Sequence, residues 1–444
     1  MDWLPQELVD KVASYLSKDD LESVLTLSSK LRYAAERHSG AFTSFNITED
    51  NAEKFVVLFS GHRLPYLREV RFLPWFPTQH HRHDPPLACR ESQEELLEKD
   101  KSFTRQIQFL FTTLRTVEDQ ASDRHTPGRY RLTIYSPIRL VEDEIQRYCL
   151  HHDYVSWRVH LRNPSELPQI VSVQSVEIRN NNEHDFPPKH AAGFHIVESK
   201  LDLRVMVDLA TRFPNLEFWG CQVGASEWYE TYAEEEPVRH YEHDWEGPRR
   251  DARVDFARAV EACIDQIPIS LRRASLDFLS SIENVISIHH GKQQPNMVYP
   301  APSDLFSSSL RILTRNLRKL QLRAVIDENL FCPGDERLSP WPVLEIFEVM
   351  FHPVRPNGKW YFQGPGGEGA DATGFNITDE CYPPLETSDL DTEMDAMLKE
   401  EGDPCTNLGN RQFRVTPQDV NVRQLLESFA KCATNMPSLQ QALI

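Results

Sequence analysis

Apolar residues recur along most of this chain in one spacing, LxxLxL. Its copies are Leu67-x-x-Val70-x-Phe72, Val173-x-x-Val176-x-Ile178, Leu216-x-x-Trp219-x-Cys221, Leu271-x-x-Ala274-x-Leu276, Leu317-x-x-Leu320-x-Leu322, Leu344-x-x-Phe347-x-Val349 and Leu439-x-x-Ala442-x-Ile444. The alternation at the end of each copy is the period of a short strand with one buried face. Pro65, Pro214, Pro268, Pro342 and Pro437 stand two or three residues before the first apolar position, which predicts a tight turn leading into the strand. Upstream, helical spacing links Phe103, Ile107, Leu110, Phe111, Leu114 and Val117 ahead of a strand over Tyr130–Tyr135, and Val422, Leu425, Leu426, Phe429 and Ala433 ahead of Leu439. Helix, turn and strand thus form a repeated unit, and the predicted fold class is α/β with each strand added to one parallel sheet.

Such a unit is the sequence mark of a leucine-rich-repeat solenoid, in which each repeat buries its apolar face against its neighbours. The period here is uneven and averages about fifty residues, roughly double the usual 20 to 29, so long insertions are expected. They fall at residues 74–92, 222–252, 281–305 and 352–412, all rich in Pro, Gly or charge. A doubly wound α/β domain gives a similar alternation, with strands apolar on both faces. Arg, Glu, Lys and Gln at the alternating positions favour a sheet with one wet face instead. The segment Gly358–Gly367 lacks the Gly-Lys-Ser/Thr ending of a phosphate loop and reads as an aromatic hairpin or Ω-type loop covering one side of the sheet. Glu386–Asp403, with eight acidic residues and one lysine, reads as a mobile acidic loop. The last LxxLxL copy stops at Ile444 in mid-strand, which leaves an open sheet edge or a repeat that continues.

The first 40 residues differ from this body. Pro5 suits a helix start, and Leu8, Val12, Tyr15 and Leu16 recur at i, i+4, i+7 and i+8. Ser17-Lys18-Asp19-Asp20 supplies capping side chains for a second helix with Leu21, Val24 and Leu25, and Leu27, Leu31, Ala34 and Ala35 carry the pattern toward His38. Three helices this short, without a cysteine, cannot enclose much core, so a leucine-rich surface that meets another protein, or the chain's own body, is expected.

Leu4-Pro5-Gln6-Glu7-Leu8, then Ser14-Tyr15-Leu16, Asp20-Leu21 and Leu27-Ser28 resemble an F-box in order and spacing, over residues 3 to 38. Leu31 stands where many members of that family carry an aromatic residue. The resemblance implies a three-helix F-box domain over residues 1–40, ahead of a leucine-rich-repeat-like substrate-recognition domain over residues 41–444. It implies docking on the small linker subunit of an SCF ubiquitin ligase, and through it on cullin, with Leu4, Pro5, Leu8, Val12, Leu16, Leu21 and Leu25 lining the contact. On this reading the chain is a non-catalytic adaptor without a cofactor, and its body selects a protein target. A repeat-bearing interaction scaffold outside any ligase is the alternative.

Composition narrows the classes. The 444 residues carry 40% hydrophobic and 26% charged side chains, ordinary for a globular protein. A net charge of −19 disfavours nucleic acid and anionic membrane as partners. No apolar run reaches bilayer length and no secretory leader opens the sequence, so a cytoplasmic or nuclear location is expected. The eight cysteines are scattered without a Cys-x-x-Cys pair and read as reduced thiols.

Candidate chemistry is sparse. His80-His81-Arg82-His83 with Cys89, and His240 and His243 with Asp244, offer metal donors without zinc spacing and read as polar surface loops. Cys149 beside His151 and His152 is the nearest thiol–imidazole grouping and lacks an orienting third group. No metal site or catalytic residue is expected. The wet face of the sheet is richer in cations, and Arg71, Arg179, Arg273 and Arg323, with Lys319 beside them, are candidates for holding an acidic or phosphorylated segment. Cross-strand charge pairs that keep the face soluble are the competing reading.

Overall fold

The computed structural model describes residues 3–80, 88, 90–121, 128–142, 156–180, 193–224, 227, 244–280, 282, 285, 288–331, 341–401 and 412–444. Its centre is a parallel sheet of nine strands: β1 (Ser44–Ile47), β2 (Glu69–Phe72), β3 (Tyr130–Tyr135), β5 (Val173–Arg179), β7 (Phe218–Gln222), β8 (Arg273–Asp277), β10 (Lys319–Ala324), β11 (Ile346–Phe351) and β15 (Gln441–Leu443). The strands lie side by side in chain order, β1-β2-β3-β5-β7-β8-β10-β11-β15, and the sheet does not close into a barrel. A doubly wound sheet reverses its order at a switch point; this one never does.

The seven LxxLxL copies map onto strands β2, β5, β7, β8, β10, β11 and β15. Their first residues close the expected turn: the amides of Leu67, Leu216, Leu271, Leu317 and Leu439 each donate to the carbonyl three residues back at 3.0–3.2 Å. Pro65, Pro214 and Pro437 sit at the second position of these turns, where a fixed φ suits the bend. The amide after each turn reaches the preceding turn, as from Arg318 to the Arg272 carbonyl at 2.7 Å and from Glu345 to the Arg318 carbonyl at 2.8 Å. Register is set by these stacked turns, so Leu320 aligns with Ala274 on one side and Phe347 on the other.

One face of the sheet is covered by helices. Among the described residues these include α4 (Ala52–Phe59), α5 (Gln93–Ala121), α6 (Arg204–Ala210), α7 (Glu246–Cys263), α8 (Leu305–Leu313) and α10 (Asp419–Ala433). Neighbours pack in sequence, α4 on α5, α6 on α7 and α7 on α8. Val70, Leu132, Val176, Trp219, Leu276, Leu322 and Phe347 point from the strands into this layer and are buried with Phe103, Phe111, Phe256 and Leu310 of the helices in one continuous core. Each full burial of this kind contributes about 1.5–3 kcal/mol. Most alternate strand residues remain half-buried or exposed, the wet face expected from the polar positions, while Thr133, Tyr135 and Gly220 on that side are covered.

The insertions are built parts. β4 (Ile138–Glu142) pairs antiparallel with β6 (Phe194–Glu198), and Leu73, Tyr135 and Ile138 form a small core with Ile196. Short strands β9 (Pro295–Asn296) and β13 (Phe375–Asn376) pair with each other, as do β12 (Phe362–Gln363) and β14 (Thr416–Pro417). Trp360 of the Gly358–Gly367 segment bridges Val354 antiparallel, and Phe362–Gln363 pairs with Thr416–Pro417, so the segment's pairing partners lie outside it. Trp360 and Tyr361 are buried, and the Tyr361 hydroxyl donates to the Ile326 carbonyl at 2.9 Å.

The acidic stretch 386–403 corrects the expectation of a mobile loop, because Asp389–Glu401 is a helix, α9. Ser388 and Asp391 cap it reciprocally, the Asp391 amide donating to Ser388 Oγ at 3.1 Å and the Ser388 amide to Asp391 Oδ2 at 2.8 Å. Asp391 is fully buried and receives Arg90 through Nη2 at 2.7 Å and Nε at 3.0 Å. Acidic repulsion is thus offset by a cap and by a cation from the opposite end of the body.

Candidate functional site

Two surfaces stand apart from the rest of the molecule, the outer side of the N-terminal helices and the wet face of the sheet. The helices are α1 (Gln6–Ala13), α2 (Lys18–Val24) and α3 (Ser29–His38). Their starts follow the sequence. Pro5 opens α1, Ser17 Oγ accepts from the Asp20 amide at 3.3 Å and Ser28 Oγ accepts from the Leu31 amide at 3.2 Å. Val9, Ala13, Leu21, Leu31, Ala34 and Ala35 form a small core, with Leu4, Leu16, Val24 and Leu25 half-buried around it.

The phase of α1 differs from the expectation. Val9 and Ala13 turn inward, leaving Leu8, Val12 and Tyr15 at 52%, 46% and 75% exposure along one outer stripe. Pro5 is exposed at the head of that stripe. Leu21 leaves the list of contact residues, because at 6% exposure it holds the three helices together. Leu4, Leu16 and Leu25 divide their surfaces between the inner core and the outside.

The module is fixed to the body by Glu36 of α3, itself 5% exposed. Its carboxylate accepts from Arg63 Nη2 at 2.6 Å and Nε at 3.1 Å, and meets His62 Nε2 at 2.7 Å. The His62 ring lies 4.2 Å from Tyr33, and Arg63 sits over Phe42 at 4.5 Å. Burial pushes the Glu36 carboxyl up, but the Arg63 and His62 hydrogen bonds outweigh it and hold the group below its ordinary range.

The wet face is organised in rungs, because parallel register aligns equivalent residues. The rung at the N-terminal ends runs Glu69, Arg131, Ser175, Phe218, Arg273 and Lys319. The middle rung runs Arg71, Thr133, Glu177, Gly220, Ser275, Gln321 and Glu348. Tyr135, Arg179, Gln222, Asp277, Arg323 and Met350 form the third.

The five candidate cations all lie on this face but do not act alike. Arg71 bridges Glu69 at 2.7 Å, Arg323 bridges Asp277 at 3.3 Å, and Arg179 Nε donates to Gln222 at 2.9 Å. Of these three, only Arg323–Asp277 is a cross-strand charge pair; Arg71 pairs within its own strand and Gln222 carries no charge. Burial pushes the Asp277 carboxyl above its ordinary value, with the Leu279 amide and Arg323 pulling against it. Arg273 instead stacks over the Phe218 ring at 5.8 Å, and among the described residues neither it nor Lys319 has an ion-pair partner.

Residues missed by the sequence reading complete the first rung. Arg68, Arg129 and Arg131 join Glu69, Phe218 and Arg273 around a depression of about 520 Å³. The alternation Arg129-Tyr130-Arg131-Leu132 was the available signal, but this strand carries no LxxLxL copy to flag it. A second depression of about 520 Å³ lies over the third rung, where Asp277, Arg323 and Met350 meet Leu443.

Among the described residues, no group of three His, Cys, Asp or Glu side chains is placed to hold a metal ion. His80 approaches Glu142 at 3.7 Å, and Asp244 pairs with Lys200 while accepting from Ser156 Oγ at 3.1 Å. His81, His83, Cys89, Cys149, His151, His152, His240 and His243 lie outside the described residues. Cys221, Cys263 and Cys381 are free thiols, and burial pushes the Cys221 thiol up, away from the reactive thiolate. Among the described residues, no helix is long and apolar enough to cross a membrane.

Asp327 is a strongly perturbed acid of the body. Asp327 is buried, and burial first, then the Asp304 and Glu328 charges, push its carboxyl up to about 7. Its oxygens accept from the Asn329 amide and side chain, both at 3.0 Å. The folded state holds this proton more tightly than the unfolded chain, so stability falls as pH rises from the ordinary aspartate value toward 7. Asp327→Asn is expected to remove that loss, gaining about 1–3 kcal/mol over the native chain at pH 8 but not at pH 4. Urea midpoints at the two pH values measure it, and an equal change at both would refute the assignment.

No family model matches the chain, and no curated protein matches it.

Proposed function

We propose that this chain is a substrate-recognition adaptor of an SCF-type ubiquitin ligase. Its N-terminal F-box module holds the linker subunit, and its leucine-rich-repeat-like body holds a protein target. The observation that carries this reading is the stripe of Pro5, Leu8, Val12 and Tyr15, an apolar surface on a module that already has its own small core. A helix needs only one apolar face to pack on its own module, and a second one is suited to a partner. The F-box resemblance over residues 3 to 38 supplies the partner's identity. The chain's contribution is proximity, and bond formation belongs to the other ligase subunits and their ubiquitin-charged enzyme.

Capture of the linker subunit by the tagged chain tests the reading. Leu8→Asp with Val12→Asp is expected to reduce capture at least about tenfold, while stability changes by under about 1 kcal/mol because both side chains are already half exposed. Undiminished capture by the folded double variant, or capture of linker without cullin by the native chain, sinks the adaptor reading. The second of these outcomes favours the interaction scaffold.

A further inference from the structure

The wet face of the sheet is not uniformly charged. On its second and third rungs two arginines have carboxylate partners, Arg71 with Glu69 of the first rung and Arg323 with Asp277, and Gln321 Nε2 donates to Glu348 at 2.6 Å. At the N-terminal ends of the strands, cations outnumber carboxylates. Arg68, Arg129, Arg131, Arg273 and Lys319 lie there beside Glu69 and Glu217, in a chain whose net charge is −19. Arg131 reaches Glu177 loosely at 3.7 Å and is half exposed. Among the described residues, Arg68, Arg129, Arg273 and Lys319 have no ion-pair partner.

Register fixes the spacing of these groups. Arg131 and Arg273 share the first rung with three strand steps between them, Ser175 and Phe218 occupying the intermediate strands. At a strand spacing of about 4.8 Å they are about 14 Å apart, the span of about four residues of extended chain. Phe218 lies between them as an apolar floor, and Lys319 stands one strand beyond Arg273.

We propose that this rim binds an extended acidic segment of a partner protein laid across the strands. Carboxylates about four residues apart reach Arg131 and Arg273, and an aliphatic or aromatic residue between them covers Phe218. Charge complementarity selects the occupant. A cationic segment meets like charge here, whereas a long polyanion such as nucleic acid extends beyond the rim into the field of a strongly acidic molecule. The proposal rests on the adaptor reading only in taking this face as the target surface.

The test uses the full chain and a labelled peptide carrying two glutamates about four residues apart with a leucine between them, followed by fluorescence anisotropy at about 0.15 M salt. Arg131→Glu with Arg273→Glu is expected to weaken binding at least about tenfold. The same charge change on the helical layer, Arg105→Glu with Arg423→Glu, is expected to leave it unchanged. The proposal is overturned if the native chain does not bind the peptide, if both double variants lose it equally, or if a single-stranded oligonucleotide competes as well as unlabelled peptide. An unchanged urea midpoint confirms that the rim variant is folded. Linker capture with no peptide binding defeats the rim alone, and peptide binding with no linker capture defeats the adaptor reading alone.

Discussion

Asp391→Ala is expected to destabilise the chain by about 3–5 kcal/mol, more than any other single carboxylate removal considered for the body. The reason is what remains behind. Arg90 is 6% exposed and close to the Trp245 ring, so its guanidinium stays in the interior after its carboxylate is gone. The same change removes the acceptor for Ser388 Oγ and its amide, at 2.9 and 2.8 Å, so α9 loses the reciprocal half of its cap while the residue-391 amide can still donate to Ser388 Oγ. Asp389→Ala is the control, since it takes the same charge from the same first turn at an exposed position and is expected to cost under about 0.5 kcal/mol. Urea unfolding of both variants decides the matter. Equal losses would mean that the acidic helix as a whole, not the buried pair, stabilises this region.

Glu36→Ala is expected to cost about 2–4 kcal/mol at the joint between the N-terminal module and the body, with the sheet left intact. Arg63 and His62 lose their shared acceptor, and what holds the module is then the Tyr33–His62 ring contact and the Tyr66 hydroxyl donating to the Tyr33 carbonyl at 3.3 Å. Limited proteolysis reads the joint directly, with faster cleavage expected around Ser39–Thr43. The native joint should also weaken in acid. Glu36 has a depressed folded pKa, so its contribution is present above the ordinary glutamate range and disappears as pH falls through the lower folded value. Glu36→Gln is expected to cleave at one rate across that range. A variant that kept the native acid response would assign the joint to other groups.

The strands of this fold were legible because their leucines fix both period and phase. Leu67, Leu216, Leu271, Leu317 and Leu344 each mark a turn and the buried side of the strand after it, so the wet-face residues follow by alternation. Phase was ambiguous in α1, where Leu8-Val9 and Val12-Ala13 put two apolar residues side by side. Periodicity alone cannot say which pair turns inward, and the smaller Val9 and Ala13 allow the closer approach to α3. Strand β1 was missed because Ser44-Phe45-Asn46-Ile47 is short and carries no leucine signal. The β4–β6 pair was missed because antiparallel partners far apart in sequence leave no local mark.

The candidate cations were placed on the correct face, but their freedom was invisible. Whether an arginine is neutralised depends on its neighbour across the sheet, as with Arg323 and Asp277, which are 46 residues apart. The acidic helix shows the same limit more strongly, since Arg90 and Asp391 are 301 residues apart and composition reports only repulsion. Gly224 illustrates a constraint that sequence could suggest and only coordinates explain: its φ is +91°, and a Cβ there would lie 2.4 Å from the Phe278 carbonyl oxygen.

A sheet whose strands follow chain order couples each unit mainly to the next, so such an array tends to fray from its ends in stages rather than melt at once. The Arg90–Asp391 pair breaks that pattern, joining the start of α5 to α9 across most of the array. Unfolding the last units must strip a buried cation near the first ones, which links the fates of the two ends. Together with the Trp157–Tyr382 ring contact this pair ties the late insertion to early units, and its removal should broaden the melting transition.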